Sequence, residues 1–151
     1  MRSFKDRTGR EWNVQVDVTA AKRLRTLLGF NLVASDFGAT LEKLLSDPVL
    51  ICDVVYVLCK PQADEAKVTD EDFGRAMAGD AIEAATEVLL AELTDFTPNP
   101  RDRERVRDAI QGLKQMSELA RDLAGEALRK ALAEASAPPT SGPISGGSQA
   151  A

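Results

Sequence analysis

The chain has 151 residues, 44% of them hydrophobic and 28% charged, with a net charge of −5 and no histidine. That is enough apolar material for one core but not two. Residues 1–30 carry a net +4, residues 31–100 a net −10 and residues 101–151 a net +1, and so acidic a middle disfavours general nucleic-acid binding while favouring basic or apolar partners.

Met1 to Arg10 contain no apolar run, which predicts that there is no signal peptide. The longest apolar-rich stretch, Val49 to Cys59, is interrupted by Asp53 and is too short to span a bilayer. A soluble, cytoplasmic protein with no membrane partner is expected.

The first element reads as a β-hairpin. Asp6-Arg7-Thr8-Gly9 has turn chemistry, and Trp12, Val14, Val16 and Val18 then alternate with polar residues, the period of a strand with one buried face. Phe4 falls on the partner strand. A lone hairpin is marginal in water, so this face must pack on the helices that follow.

Thr19 can cap a helix that runs to about Leu28 and stops at Gly29, with Leu24, Leu27 and Leu28 as its apolar stripe. Thr40 can cap a short helix, Leu41 to Ser46. Asp47 followed by Pro48 is a good helix start. The helix it opens, through Cys59, is apolar nearly all round, as a central buried helix is, and its β-branched content leaves a strand as a minor alternative. Lys60-Pro61 is expected to end it. Cys52 and Cys59 lie on one helix face, about 10 Å apart along the axis, too far for a disulfide, and read as buried thiols.

A polar loop over Gln62 to Val68 is expected next. Thr69 with Asp72 approximates a capping box, and Asp70 and Glu71 suit the positive helix end. Phe73, Ala76 and Met77 face inward before Gly79. Asp80 can cap a helix through about Thr94, closed by Phe96 and Pro98. Asn99-Pro100 repeats the cap-and-proline start. One long helical pattern then runs to about Ala135, with Val106, Ile110, Leu113, Met116, Ala120, Leu123, Ala127 and Ala131 spaced by threes and fours. Gly112 and Gly125 each weaken it by about 1 kcal/mol relative to alanine, leaving a bend or break there open. From Ser136 the composition of Pro, Gly, Ser, Thr and Ala reads as a disordered tail.

The fold class is therefore mainly α with a small N-terminal β-hairpin, a helical bundle plus a long C-terminal helix. The divisions are 1–98, hairpin and helical core; 99–135, long amphipathic helix; and 136–151, tail.

Without histidine the chain lacks the commonest general acid–base and metal ligand, and two cysteines cannot build a zinc site alone. No phosphate-binding glycine pattern or nucleophile elbow is present. Asp70, Glu71 and Asp72 are accounted for by a helix cap. Arg101, Arg103, Arg105 and Arg107 interleave with Asp102, Glu104 and Asp108, as on a self-paired solvated helix face. Arg7 and Arg10 flank a turn. No enzyme, catalytic residue, metal or cofactor is expected.

The order of certain pieces resembles small tail assembly chaperones of long-tailed bacteriophages and prophages. They are Phe4-x-Asp6-x-x-Gly9-Arg10-x-Trp12, Leu44-Leu45-x-Asp47-Pro48-x-Leu50, Lys60-Pro61, Thr69-Asp70-Glu71-Asp72-Phe73, and Asp80 to Phe96. The likeness spans roughly residues 1–97, and the helix from Pro100 to Ala135 is longer than in the simplest members. The resemblance implies a non-enzymatic chaperone that coats the tape-measure protein and keeps it soluble until tail-tube subunits polymerise around it. The tail-tube protein is a second candidate partner. It implies a place in the host cytoplasm, absence from the mature particle, and often a longer frameshifted product, for which the tail from Ser136 would suit the junction.

The thin, Ala-rich stripe of the last helix, with Val106, Ile110, Leu113, Met116 and Leu123, is the candidate partner-binding surface by helix-in-groove or helix–helix contact. Packing of that stripe on its own domain is an equal alternative. Two further readings stay open: a helical adaptor that self-associates through this helix, and a nucleic-acid-associated regulator using Arg23, Arg25 and the Arg101–Arg107 segment.

Overall fold

The computed structural model describes residues 1–32 and 36–137. The chain divides into two compact units, Met1–Leu113 and Lys114–Ala151, and is mainly helical with an N-terminal hairpin and a long C-terminal helix, the class the patterning indicates. The segment read as a tail lies outside the described residues from position 138 onward.

In the first unit, strands β1 (Arg2–Lys5) and β2 (Glu11–Val14) pair antiparallel with Phe4 opposite Trp12. The period-2 face is buried as far as Val16, and Trp12 and Val14 are wholly enclosed. Val18 departs from it. The side chain of Asp17, not Thr19, accepts the N–H of Ala20, so helix α1 (Val18–Leu28) begins there and exposes Val18. Gly29 ends α1 in the left-handed region at φ 63°, where a residue without Cβ is favoured.

Helix α2 (Phe37–Ser46) starts a turn earlier than Thr40, because the Asp36 carboxylate accepts the N–H of Ala39. Helix α3 (Pro48–Leu58) opens as its sequence predicts, with Asp47 accepting the N–H groups of Val49 and Leu50. Within α3, Ile51, Val54, Val55, Val57 and Leu58 are buried, while Val49 in the first turn is 69% exposed. Lys60-Pro61 ends α3 but does not lead into a loop. Proline fits a first helical turn as well as it disrupts an interior, and it opens a short helix α4 (Lys60–Glu65).

Thr69 and Asp72 form the reciprocal capping box at the head of α5 (Asp70–Ala76). Helix α6 (Asp80–Phe96) follows, with Gly79 rather than Asp80 at its N-cap. Helix α3 packs against α1, α2, α4, α5 and α6, and α6 also packs against β1.

Trp12 meets the edge of Phe73 at 5.1 Å and 79°, and Phe73 lies 5.3 Å from Tyr56. Such aromatic pairs add about 0.5–1.5 kcal/mol beyond area burial. A smaller apolar cluster gathers Leu41 and Leu90 with Val106 and Ile110. The last two belong to helix α7 (Pro100–Ala135), which continues through Gly112 and Gly125 without a break. This cluster is why the first compact unit extends to Leu113 and not to the boundary at 98 that composition indicates.

Two buried carboxylates hold the hairpin. Asp6 accepts at Oδ1 from the Thr8 and Arg10 N–H groups and the Thr8 hydroxyl, and at Oδ2 from Trp12 Nε1 at 2.9 Å. Burial pushes its pKa up, but the hydrogen bonds from Thr8, Trp12 and Arg10 outweigh this and hold it below the ordinary carboxylate value. Glu92 of α6 is 5% exposed. It accepts from Arg2 Nη1 at 2.9 Å and the Val16 N–H at 3.3 Å, and lies 3.3 Å from the Met1 amine. The outer edge of β2 is closed by Gln62 of α4, whose amide donates to the Glu11 carbonyl and accepts the Asn13 N–H.

Candidate partner-binding surface

The five residues expected to meet a partner do not share one environment. Val106 and Ile110 are 6% and 8% exposed and pack with Leu41 and Leu90. They are core residues, and their assignment to a partner surface is corrected: α2 and α6 leave an apolar gap there that the first turns of α7 fill. Leu113 is half-buried beside them. Met116 and Leu123 are 68% and 58% exposed.

Taken by itself, the segment 114–135 is a helix with an uncovered apolar face. Leu119, Leu128 and Leu132 are also about 60% exposed, and the sequence reading missed them. At about 100° per residue, Met116, Leu119, Leu123 and Leu128 fall within one half of the helix circumference, with Ala120, Ala124, Ala127 and Ala131 between them. Lys130 and Glu134 enter that half only near its end. The signal was present as the three- and four-residue steps from Met116 to Leu123 and from Leu128 to Leu132. The alanines mask it, because a second stripe of the same spacing runs through them. Lys114, Arg121, Arg129 and Lys130 balance Glu118, Asp122, Glu126 and Glu134, so the segment carries no net charge. Isolated apolar side chains on a surface are ordinary, whereas here several fall together on one face of a helix.

The other constellations are absorbed by local structure. Asp72 accepts the Thr69 N–H, and the hydrogen bonds from Thr69 hold its carboxyl below the usual range. Glu71 pairs with Arg75. Asp53 is pushed up by burial and by the negative charges of Asp70 and Asp47. Among the described residues no group of three or more His, Cys, Asp or Glu is placed to hold a metal ion, and no helix is long and apolar enough to cross a membrane. In the arginine segment, Arg105 pairs with Asp102 at 3.4 Å. Arg10 sits over Trp12 with its guanidinium 5.8 Å from the ring centre, within reach of a cation–π contact.

Both cysteines are free. Cys59 is buried, donates to the Asn13 carbonyl at 3.5 Å, and has its pKa pushed up to about 12 by burial. Cys52 is half-buried and raised by burial and by Asp53.

Comparison of the chain with protein-family models, curated proteins and solved structures finds no match.

Proposed function

We propose that this chain is a non-enzymatic binding protein of the tail assembly chaperone kind, acting in the host cytoplasm and absent from the finished particle. On this reading it holds the tape-measure protein in solution until the tube assembles, with the tail-tube subunit as a second partner and no nucleic acid or membrane involved. The order of motifs over residues 1–97 supports the family. The observation that carries the binding role is the exposed apolar face of residues 114–135.

A tape measure is a long, helix-rich chain with apolar stripes of its own, and an amphipathic helix recognises such a partner by laying apolar face on apolar face. Fully burying a Leu or Met side chain is worth about 1.5–3 kcal/mol. Met116, Leu119, Leu123 and Leu128, each already partly covered, contribute part of that apiece, and the apolar side chains of the partner add to it. Association itself costs about 4–15 kcal/mol, so a single helix of this kind gives a reversible hold. A chaperone displaced by polymerising tube subunits needs that reversibility.

The test is co-expression with the tape-measure-like protein encoded nearest downstream, followed by affinity capture and a solubility assay. The partner should become soluble and co-purify. The double variant Leu119→Glu and Leu123→Glu should lose it while Trp12 fluorescence stays native. A partner left insoluble and uncaptured by the unaltered chain would sink the chaperone reading.

A further inference from the structure

We infer that, when no other partner is present, the apolar face of residues 114–135 is covered by the same face of a second copy, so that the free protein is a weak dimer that must open to bind. The inference rests on that face being the binding surface, as proposed above, and adds a regulation of it: self-pairing and partner binding exclude one another.

Three observations point to a second copy. The first is area. Residues 114–135 span about 33 Å at about 1.5 Å per residue, and half of a cylinder about 10 Å across gives about 500 Å² per copy. Two copies bury about 1,000 Å², inside the class of weak, exchangeable contacts below about 1,200 Å² and short of the roughly 1,600 Å² of a standard stable interface.

The second is charge. Four basic and four acidic side chains leave this segment neutral, whereas residues 1–113 carry the whole net charge of −5. Two copies approaching through 114–135 therefore meet no net like-charge field, and contact through the acidic residues 1–113 would. The third is the make-up of the face. Ala120, Ala124, Ala127 and Ala131 put small side chains along its middle, which lets two helices approach closely, and Met116, Leu119, Leu123 and Leu128 supply the apolar contact around them.

The full chain would be followed by light scattering and sedimentation from about 1 µM to about 1 mM, the range over which a weak pair forms. The expected result is a weight-average mass that rises with concentration from 16.3 kDa toward twice that value. Leu123→Glu with Leu128→Glu should hold the mass at the monomer value throughout, with native Trp12 fluorescence. Val49→Glu, at a 69% exposed apolar position outside this face, should leave the rise intact. A chain that stays monomeric at the highest concentration overturns the inference, as does a rise that persists in the Leu123/Leu128 variant or vanishes in Val49→Glu. The functional reading is scored separately by capture of the tape measure. A monomer that captures it sinks only the dimer, and a dimer that captures nothing sinks only the chaperone.

Discussion

Replacing Asp6 tests whether the hairpin is held by its buried carboxylate or simply by its apolar face. In Asp6→Ala four donors lose their acceptor: the Thr8 and Arg10 N–H groups, the Thr8 hydroxyl and the Trp12 indole N–H. The first three lie at an exposed turn where water can replace the carboxylate. Trp12 is wholly buried, and a buried donor left unpaired costs about 1–3 kcal/mol. Adding roughly 1 kcal/mol for the turn donors gives about 2–4 kcal/mol in all. In Asp6→Asn the remaining oxygen can still serve the turn, but the amide nitrogen faces the indole N–H. It should therefore cost about 1–3 kcal/mol, most of the alanine loss.

Trp12 is the only tryptophan, so urea unfolding followed by its fluorescence reads both variants at the site. The pH dependence supplies an independent arm. Because the folded pKa of Asp6 lies below its ordinary value of 3.8, its charged form contributes stability that is present above that value. The contribution is lost as pH falls through the folded pKa, so the gap between the unaltered chain and Asp6→Ala should narrow on acidification. An Asp6→Asn protein within about 0.5 kcal/mol of the unaltered chain, a difference ordinary for an uninvolved surface site, would refute the argument. A gap that does not change with pH would count equally against it.

The division of α7 into core and surface predicts that Ile110→Ala costs about 2–4 kcal/mol, while Met116→Ala stays within about 0.5 kcal/mol, both by chemical denaturation. Gly79→Ala should lower the melting temperature, since φ 55° with ψ −122° is backbone that a Cβ disfavours by about 1–3 kcal/mol; an unchanged melt would count against strain there. Gln62→Ala should speed hydrogen exchange at the Asn13 amide while costing about 1–3 kcal/mol, the loss of two bonds at an exposed edge. Cys59, with its pKa pushed up to about 12, should resist a thiol reagent at pH 8 until the protein unfolds, and Cys52 should react first.

Elements whose cause is local could be read from the sequence. Asp47-Pro48, the Thr69/Asp72 box, Gly29 and the alternation from Trp12 to Val16 each act within one turn or one strand, and each appears as its chemistry requires. Misreadings arose where two local rules competed. Asp17 and Asp36 won the cap from Thr19 and Thr40, and Pro61, which ends one helix, also begins the next.

Features set by distant partners were not legible. Nothing near Glu92 in the chain indicates that an acid in an apolar helix stripe is satisfied by Arg2 and Val16. Likewise, nothing in α7 marks which residues of its stripe cover Leu41 and Leu90. The candidate site was half visible for that reason. The period of the stripe could be read, but not which of its members belong to the core of the first unit.

The bond between Arg2 and Glu92 joins residues ninety positions apart, and this imposes a waiting time on synthesis. At about 5–20 residues per second, roughly 5–18 s separate the making of the first strand from that of the acid that anchors it. Throughout that interval the Trp12 face has neither α6 nor Glu92 to rest on. The hairpin therefore cannot settle on its anchor until most of the first unit has followed it.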